Sequence, residues 1–189
     1  MKITGNPPQT ALFLVDLQRD FLASDGRMPV RREHAGRVID AANRLLNHAD
    51  LVPWKTVFIK NAFRQDDWLG NLVRGKAAIE GSVGAEIDPR VMVPPDAEFV
   101  AKAQADAFSN PALASMLQAA SIHRIVLLGV MTEACVRSTA KSALRRGYEL
   151  TIVANAVAST RPMLHRWALR SLQEAGATIR NCSELLLEQ

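Results

Sequence analysis

Residues 124–136 read RIVLLGVMTEACV, and this stretch decides the fold. The apolar run Ile125–Leu128 is too short for a buried helix. Bounded by Arg124 and Gly129, it reads as a strand covered on both faces. Thr132 is a helix N-cap residue type, and the helix it predicts runs to about Arg146, closed by Gly147. A buried strand that feeds a helix is half of a parallel strand–helix–strand unit.

The same alternation extends outward in both directions. C-terminally, Glu149–Val153 reads as a strand, Arg161-Pro162 opens a helix that Gly176 ends, and Ala177–Arg180 is a last short strand. N-terminally, Ala11–Val15 (ALFLV) is a core strand ending at Asp16. Residues 32–49 place Ala35, Val38, Ala42, Leu45 and Leu46 at helical spacing until Pro53 breaks the pattern. Val57–Ile59 is the next strand. Phe99–Ala101 is a weaker one ending at Lys102, and Asn110-Pro111 opens a helix to about Ala120. The pattern predicts a three-layer α/β/α, Rossmann-like, mostly parallel sheet of about six strands with helices on both faces, built as a single domain over 1–189. Residues 61–97 are the irregular exception, rich in Gly and Pro.

The composition excludes several classes. With 189 residues, 48% hydrophobic and 22% charged, the chain is neither disordered nor a coiled coil. Its net charge of +4 is dispersed, which speaks against nucleic acid as a partner. The N-terminus lacks the apolar core of a signal peptide, and no stretch approaches the ~18 apolar residues of a membrane span. Two cysteines, Cys135 and Cys182, make no disulfide framework and fit a reducing, cytoplasmic setting.

Open parallel sheets bind ligands at the carboxyl ends of their strands. Asp16, Lys102 and Cys135 all fall at such ends. Cys135 is predicted in the first helical turn, where amide N–H groups and the helix dipole stabilise a thiolate. Asp16 can take the thiol proton, and Lys102 can hold the aspartate in place. Cys182 has no cap context and reads as a packing residue. His165, near the start of its helix, reads as a surface histidine, with a site role as the alternative.

With these residues in place, the chain resembles the isochorismatase-like cysteine hydrolases over nearly its whole length. The matching segments are Asp16-Leu17-Gln18-Arg19-Asp20-Phe21, Lys102 with Phe108 six residues on, and Gly129-Val130-Met131-Thr132-Glu133-Ala134-Cys135-Val136. Thr139-Ala140, Gly147-Tyr148 and Ala156-Val157-Ala158-Ser159 continue the match in order. The resemblance implies an Asp16–Lys102–Cys135 catalytic triad. It also implies a cis peptide between Val130 and Met131, with the Met131 and Cys135 amides forming an oxyanion hole. Homo-oligomers, dimers or tetramers, are common among such proteins, and the Ala-rich stretch 139–144 is a candidate subunit contact.

Nicotinamidase-like members carry an Asp-x-His and a further His as metal ligands after the second strand. Here that region reads KNAFRQDDWLGNL, with no histidine between His48 and His123. Asp66 and Asp67 without imidazole make a poor zinc site, so no metal and no cofactor are expected. Phe21, Trp68 and Phe108 are the expected apolar walls of a small-molecule pocket. The expected activity is hydrolysis of a small amide or related carbonyl C–N bond through a Cys135 thioester. Two alternatives stay open. One is vinyl-ether hydrolysis with Asp16 as acid and Cys135 as bystander, and the other is a non-catalytic binding protein on the same fold.

Overall fold

The structure, a computed structural model, describes residues 9–187. Six strands form one sheet: β1 Thr10–Val15, β2 Trp54–Asn61, β3 Glu98–Lys102, β4 Arg124–Val130, β5 Glu149–Ala158 and β6 Thr178–Arg180. Their order across the sheet is β3-β2-β1-β4-β5-β6, and every pairing is parallel. The helices are α1 Arg19–Leu22, α2 Arg32–Leu51, α3 Trp68–Val73, α4 Pro111–Ala119, α5 Arg137–Arg145, α6 Pro162–Glu174 and α7 Cys182–Leu185.

Side-chain alternation along β1 divides the core in two. Leu12 and Leu14 pack with Val38, Ala42, Leu45 and Leu46 of α2. Ala11, Phe13 and Val15 point the other way, onto Leu113 and Leu117 of α4, Ala140 and Ala143 of α5, and Leu172 of α6. Both faces of β1 are therefore dry, which is why its sequence is continuously apolar. Ala140 and Ala143 are fully buried against this chain's own sheet. These two small side chains of 139–144 are thus taken up by the chain's own core.

The chain winds outward from β1 through β2 to β3, then restarts at β4 and winds the other way. The carboxyl ends of β1 and β4 flank this switch point, where loops diverge and leave a crevice. β1 and β4 approach so closely there that a Cβ on Gly129 would lie 2.0 Å from the Val15 carbonyl oxygen. Gly129 also has φ 127°, so no other residue fits.

β5 runs five residues past the expected end at Val153. Between Leu127 and Gly129 β4 advances two residues, while β5 advances five, from Ile152 to Val157. The irregularity carries β5 through a polar Asn155 that period-two reading treats as a strand end. α1 and α3 lie in segments where no periodicity marked them. The stretch 61–97 is ordered largely by side-chain hydrogen bonds. Gln18 Nε2 donates to the Ala85 carbonyl at 2.8 Å, and Asp20 Oδ2 accepts the Ala78 amide at 2.8 Å. No helix among the described residues is long and apolar enough to cross a membrane.

Candidate active site

Asp16 is the residue immediately after β1. Its backbone takes a left-handed φ of 55°, a conformation tolerated by the short polar side chain of aspartate, and its N–H donates to the Ile59 carbonyl at 2.8 Å. The carboxylate is 1% exposed. Lys102 ends β3, two strands away, a span of roughly 10 Å at ordinary strand spacing. Its long arm crosses the end of β2, and its Nζ reaches Asp16 Oδ2 at 3.0 Å. On the way it meets Asn61, the last residue of β2, whose Oδ1 accepts from Nζ at 2.6 Å.

Asn61 escaped the sequence reading. It faces Lys102 in strand register and also directs its Nδ2 to Cys135 Sγ at 3.9 Å. Its own backbone is clamped by Gln18, which is fully buried. Gln18 Oε1 accepts the Asn61 N–H and its Nε2 donates to the Asn61 carbonyl, both at 2.8 Å. The signal for Gln18 in the sequence is an amide side chain three positions beyond a buried strand.

Cys135 sits after β4, in a single π-helical turn, Thr132–Val136, that leads into α5. The Val130–Met131 peptide before it is cis. Thr132 is the first residue of this turn, with Met131 at the N-cap position, and its hydroxyl pairs with His165 Nδ1 at 2.9 Å. The expectation of a stabilised thiolate is corrected. Burial, the largest effect, and the neighbouring Asp16 push the Cys135 thiol up to about 12, and the opposing charge of Lys102 does not offset them. Cys135 is therefore a thiol at neutral pH. Lys102 differs in its balance: burial works against its ammonium, but Asp16 and Cys135 outweigh burial and hold its pKa above the usual lysine value. Asp16 Oδ1 is buried and makes no hydrogen bond within the described residues. A carboxylate oxygen with no protein partner is free to take a proton.

A cavity of about 310 Å³ opens over these groups. Asp16, Asn61 and Cys135 form its polar floor, and Phe21, Phe63, Ala77, Val130 and Met131 are among its apolar walls. Lys102 lies beneath, with its side chain fully buried. Two of the three expected wall aromatics stand elsewhere. Trp68 is 70% exposed on α3 and borders a separate cavity, because α3 turns that edge outward. Phe108 is buried on the opposite layer, near Phe13 and stacked on Tyr148, with Arg146 over its ring. Phe63 and Arg74, from the irregular stretch, line the cavity instead, with the guanidinium 3.9 Å from the Phe63 ring centre. Cys182 is fully buried, its Sγ near the Ala41 carbonyl.

The donor set does not suit zinc. Asp66 pairs with Arg64 at 2.6 Å, Asp67 pairs with Arg74, and Asn61 and Phe63 offer no ligand pair at the end of β2. Among the described residues no group of three or more His, Cys, Asp or Glu is arranged to hold a metal ion.

Known proteins share this architecture. The isochorismatase domain model matches residues 10–184. A probable inactive nicotinamidase of Arabidopsis thaliana is 26% identical over 177 residues, covering 88% of this chain and 89% of the relative. Pyrazinamidase of Pyrococcus horikoshii, solved in complex with zinc, superposes with a TM-score of 0.81 at 28% identity, covering 92% and 99% of the two chains. An isochorismatase-like hydrolase from Alkaliphilus metalliredigens superposes with a TM-score of 0.87 at 23% identity, over 94% and 97%, a likeness of fold. With the family model spanning nearly every described residue, and the strand-end residues gathered at the switch point of its sheet, the chain belongs to the isochorismatase family of hydrolases.

Proposed function

We propose that the protein hydrolyses a small-molecule amide or related carbonyl C–N bond through a thioester on Cys135. The observation that carries this reading is the unengaged Oδ1 of Asp16 in the same cavity as a protonated thiol, with Lys102 anchoring the other carboxylate oxygen.

A thiol held near 12 does not attack as a standing thiolate. Its proton passes to Asp16 as Sγ bonds to the carbonyl carbon and the C=O electron pair moves onto oxygen. The Met131 and Cys135 amides receive the oxyanion, each well-placed donor worth about 3–4 kcal/mol. The tetrahedral adduct collapses, the C–N bond breaks, and Asp16 hands its proton to the departing nitrogen. Water then gives a proton to Asp16 and adds to the thioester. The C–S bond breaks, the acid leaves, and sulfur recovers its proton. Lys102 and Asn61 keep Asp16 oriented through both halves.

The small, mostly apolar cavity suits compact acyl groups. Pyrazinamidase is a relative by structure, and its name is that of an enzyme acting on a small aromatic amide. The test is an ammonia-release screen over primary amides, ureas and carbamoyl compounds, with Cys135→Ala beside the unaltered protein. Loss of turnover with an unchanged melting curve supports the thioester. Undiminished turnover in Cys135→Ala overturns it, and pyruvate release from isochorismate by that variant would instead favour acid catalysis by Asp16.

A further inference from the structure

A second cavity, of about 230 Å³, lies between the first turns of α2 and α6, where β5 ends. None of its wall residues lines the catalytic cavity. Its titratable wall is entirely basic: Arg31, His34 and Arg37 from the α2 side face His165 and Arg166 of α6. Among the described residues, Arg31, Arg37 and Arg166 make no ion pair or hydrogen bond through their side chains. Two carboxylates come near without entering the wall. Glu33 is 3.5 Å from His34 Nε2 and points into solvent, and Glu133 acts on His165.

Arginines scattered over a convex surface are each hydrated and cost little. Arg31, Arg37 and Arg166 are themselves exposed, but all three border one concavity, where their like charges repel one another. An anion relieves it. Guanidinium forks match phosphate oxygens in pairs. The two helices add to the same field, since neither Arg31 nor Arg161 supplies a side-chain cap to the first-turn N–H groups. Burial and the charges of His34, Arg37 and Arg166 hold the His165 pKa below its ordinary value, with Glu133 opposing, so these cations act at one point. At about 30 Å³ per water, the space is that of roughly seven or eight waters. It admits a phosphate with a short substituent.

The cavity also touches the catalytic turn. His165 Nδ1 is 2.9 Å from the hydroxyl of Thr132, the first residue of the turn that carries Cys135. Val157 and Ala158, in the cavity wall, pair with Gly129 and Val130 of β4.

We propose that this basic cavity binds a small phosphate-bearing anion and reports its occupancy to the Cys135 turn through His165 and Thr132. This site is separate from the amide-hydrolysis reading, and its test needs no substrate. Inorganic phosphate and glycerol 3-phosphate are titrated into the intact protein by calorimetry at fixed ionic strength, against sodium chloride. Iodoacetamide labelling of Cys135 is then followed with and without saturating ligand.

One saturable site per chain is expected, weakened at least tenfold in each of Arg37→Gln and Arg166→Gln and lost in the double variant. The unaltered protein and its three variants should share one circular-dichroism spectrum. Saturation is expected to change the labelling rate at least twofold, and this effect should vanish in Thr132→Val. Tighter binding of inorganic phosphate names the free ion as occupant, and tighter binding of the ester names a phosphorylated metabolite. No saturable heat, equal heat with chloride, or unaltered binding by the double variant would overturn the site. An unchanged labelling rate on saturation would overturn the link to Cys135.

Discussion

Lys102 Nζ lies 3.0 Å from Asp16 Oδ2 in an ion pair whose two side chains are 0% and 1% exposed, and the second aspartate oxygen is left without a partner. One cation therefore fixes the carboxylate and leaves half of it for chemistry. Such a pair is stable only as a pair, because each charge alone would be buried without a counter-charge.

Removing the cation should be severe. Lys102→Met leaves Asp16 buried beside only the neutral Asn61 and Cys135, and a loss of about 3–5 kcal/mol in unfolding free energy is expected. Urea denaturation measures it. A change below 1 kcal/mol would mean that the pair is not held as described.

Asn61 is expected to tune the site without holding the fold together. Asn61→Ala deletes the 2.6 Å bond to Lys102 and the contact to Cys135, at a cost of about 1–3 kcal/mol. Turnover should fall at least tenfold, with kcat carrying more of the loss than KM, because Asn61 orients the catalytic groups from the cavity floor. An unaltered kcat argues against a positioning role.

The thiol offers a test in pH. With Cys135 pushed up to about 12, its thiolate fraction keeps rising with pH, so iodoacetamide labelling should climb from pH 7 to 10 with no plateau. An ordinary thiol near 8.5 levels off in that range. The neighbours act with opposite sign: Asp16 raises the value and Lys102 lowers it. Asp16→Asn should therefore label faster at pH 8 than the unaltered protein, and Lys102→Met slower. A plateau near pH 9, or the reverse order of the two variants, would refute this electrostatic account.

Gly129→Ala tests the contact between β1 and β4. The added methyl would meet the Val15 carbonyl at 2.0 Å on a backbone of φ 127°, so overpacking and strain combine to on the order of 4 kcal/mol. Gly81→Ala is the control. It also has a positive φ, of 77°, but nothing lies within 4 Å of its added carbon. It should lose only the smaller strain contribution. Equal thermal shifts in the two variants would remove the close approach as the cause.

The strands and long helices were legible because each satisfies a local rule. Continuous apolar runs such as Ala11–Val15 and Ile125–Leu128 are what a strand dry on both faces requires, and α2 shows its buried stripe at helical spacing. Asp16, Lys102 and Cys135 stood out because each follows or ends such a run. Nothing local reveals that β2 lies between β1 and β3, so the need for Asn61 under the lysine arm was invisible. Trp68 and Phe108 were assigned by residue type, and the direction of a loop or layer decided against them.

The order of strands and helices, and three polar residues at strand ends, were set by the sequence alone, because burial pattern and chain direction are local properties. The tertiary structure decided which strand ends meet. It placed β1 beside β4 at the switch point, carried Lys102 across Asn61, and raised the pKa of the half-buried Cys135 thiol where a thiolate was expected. Desolvation and charge–charge distance depend on what the fold brings together from residues far apart in the chain, and no spacing along one segment encodes them.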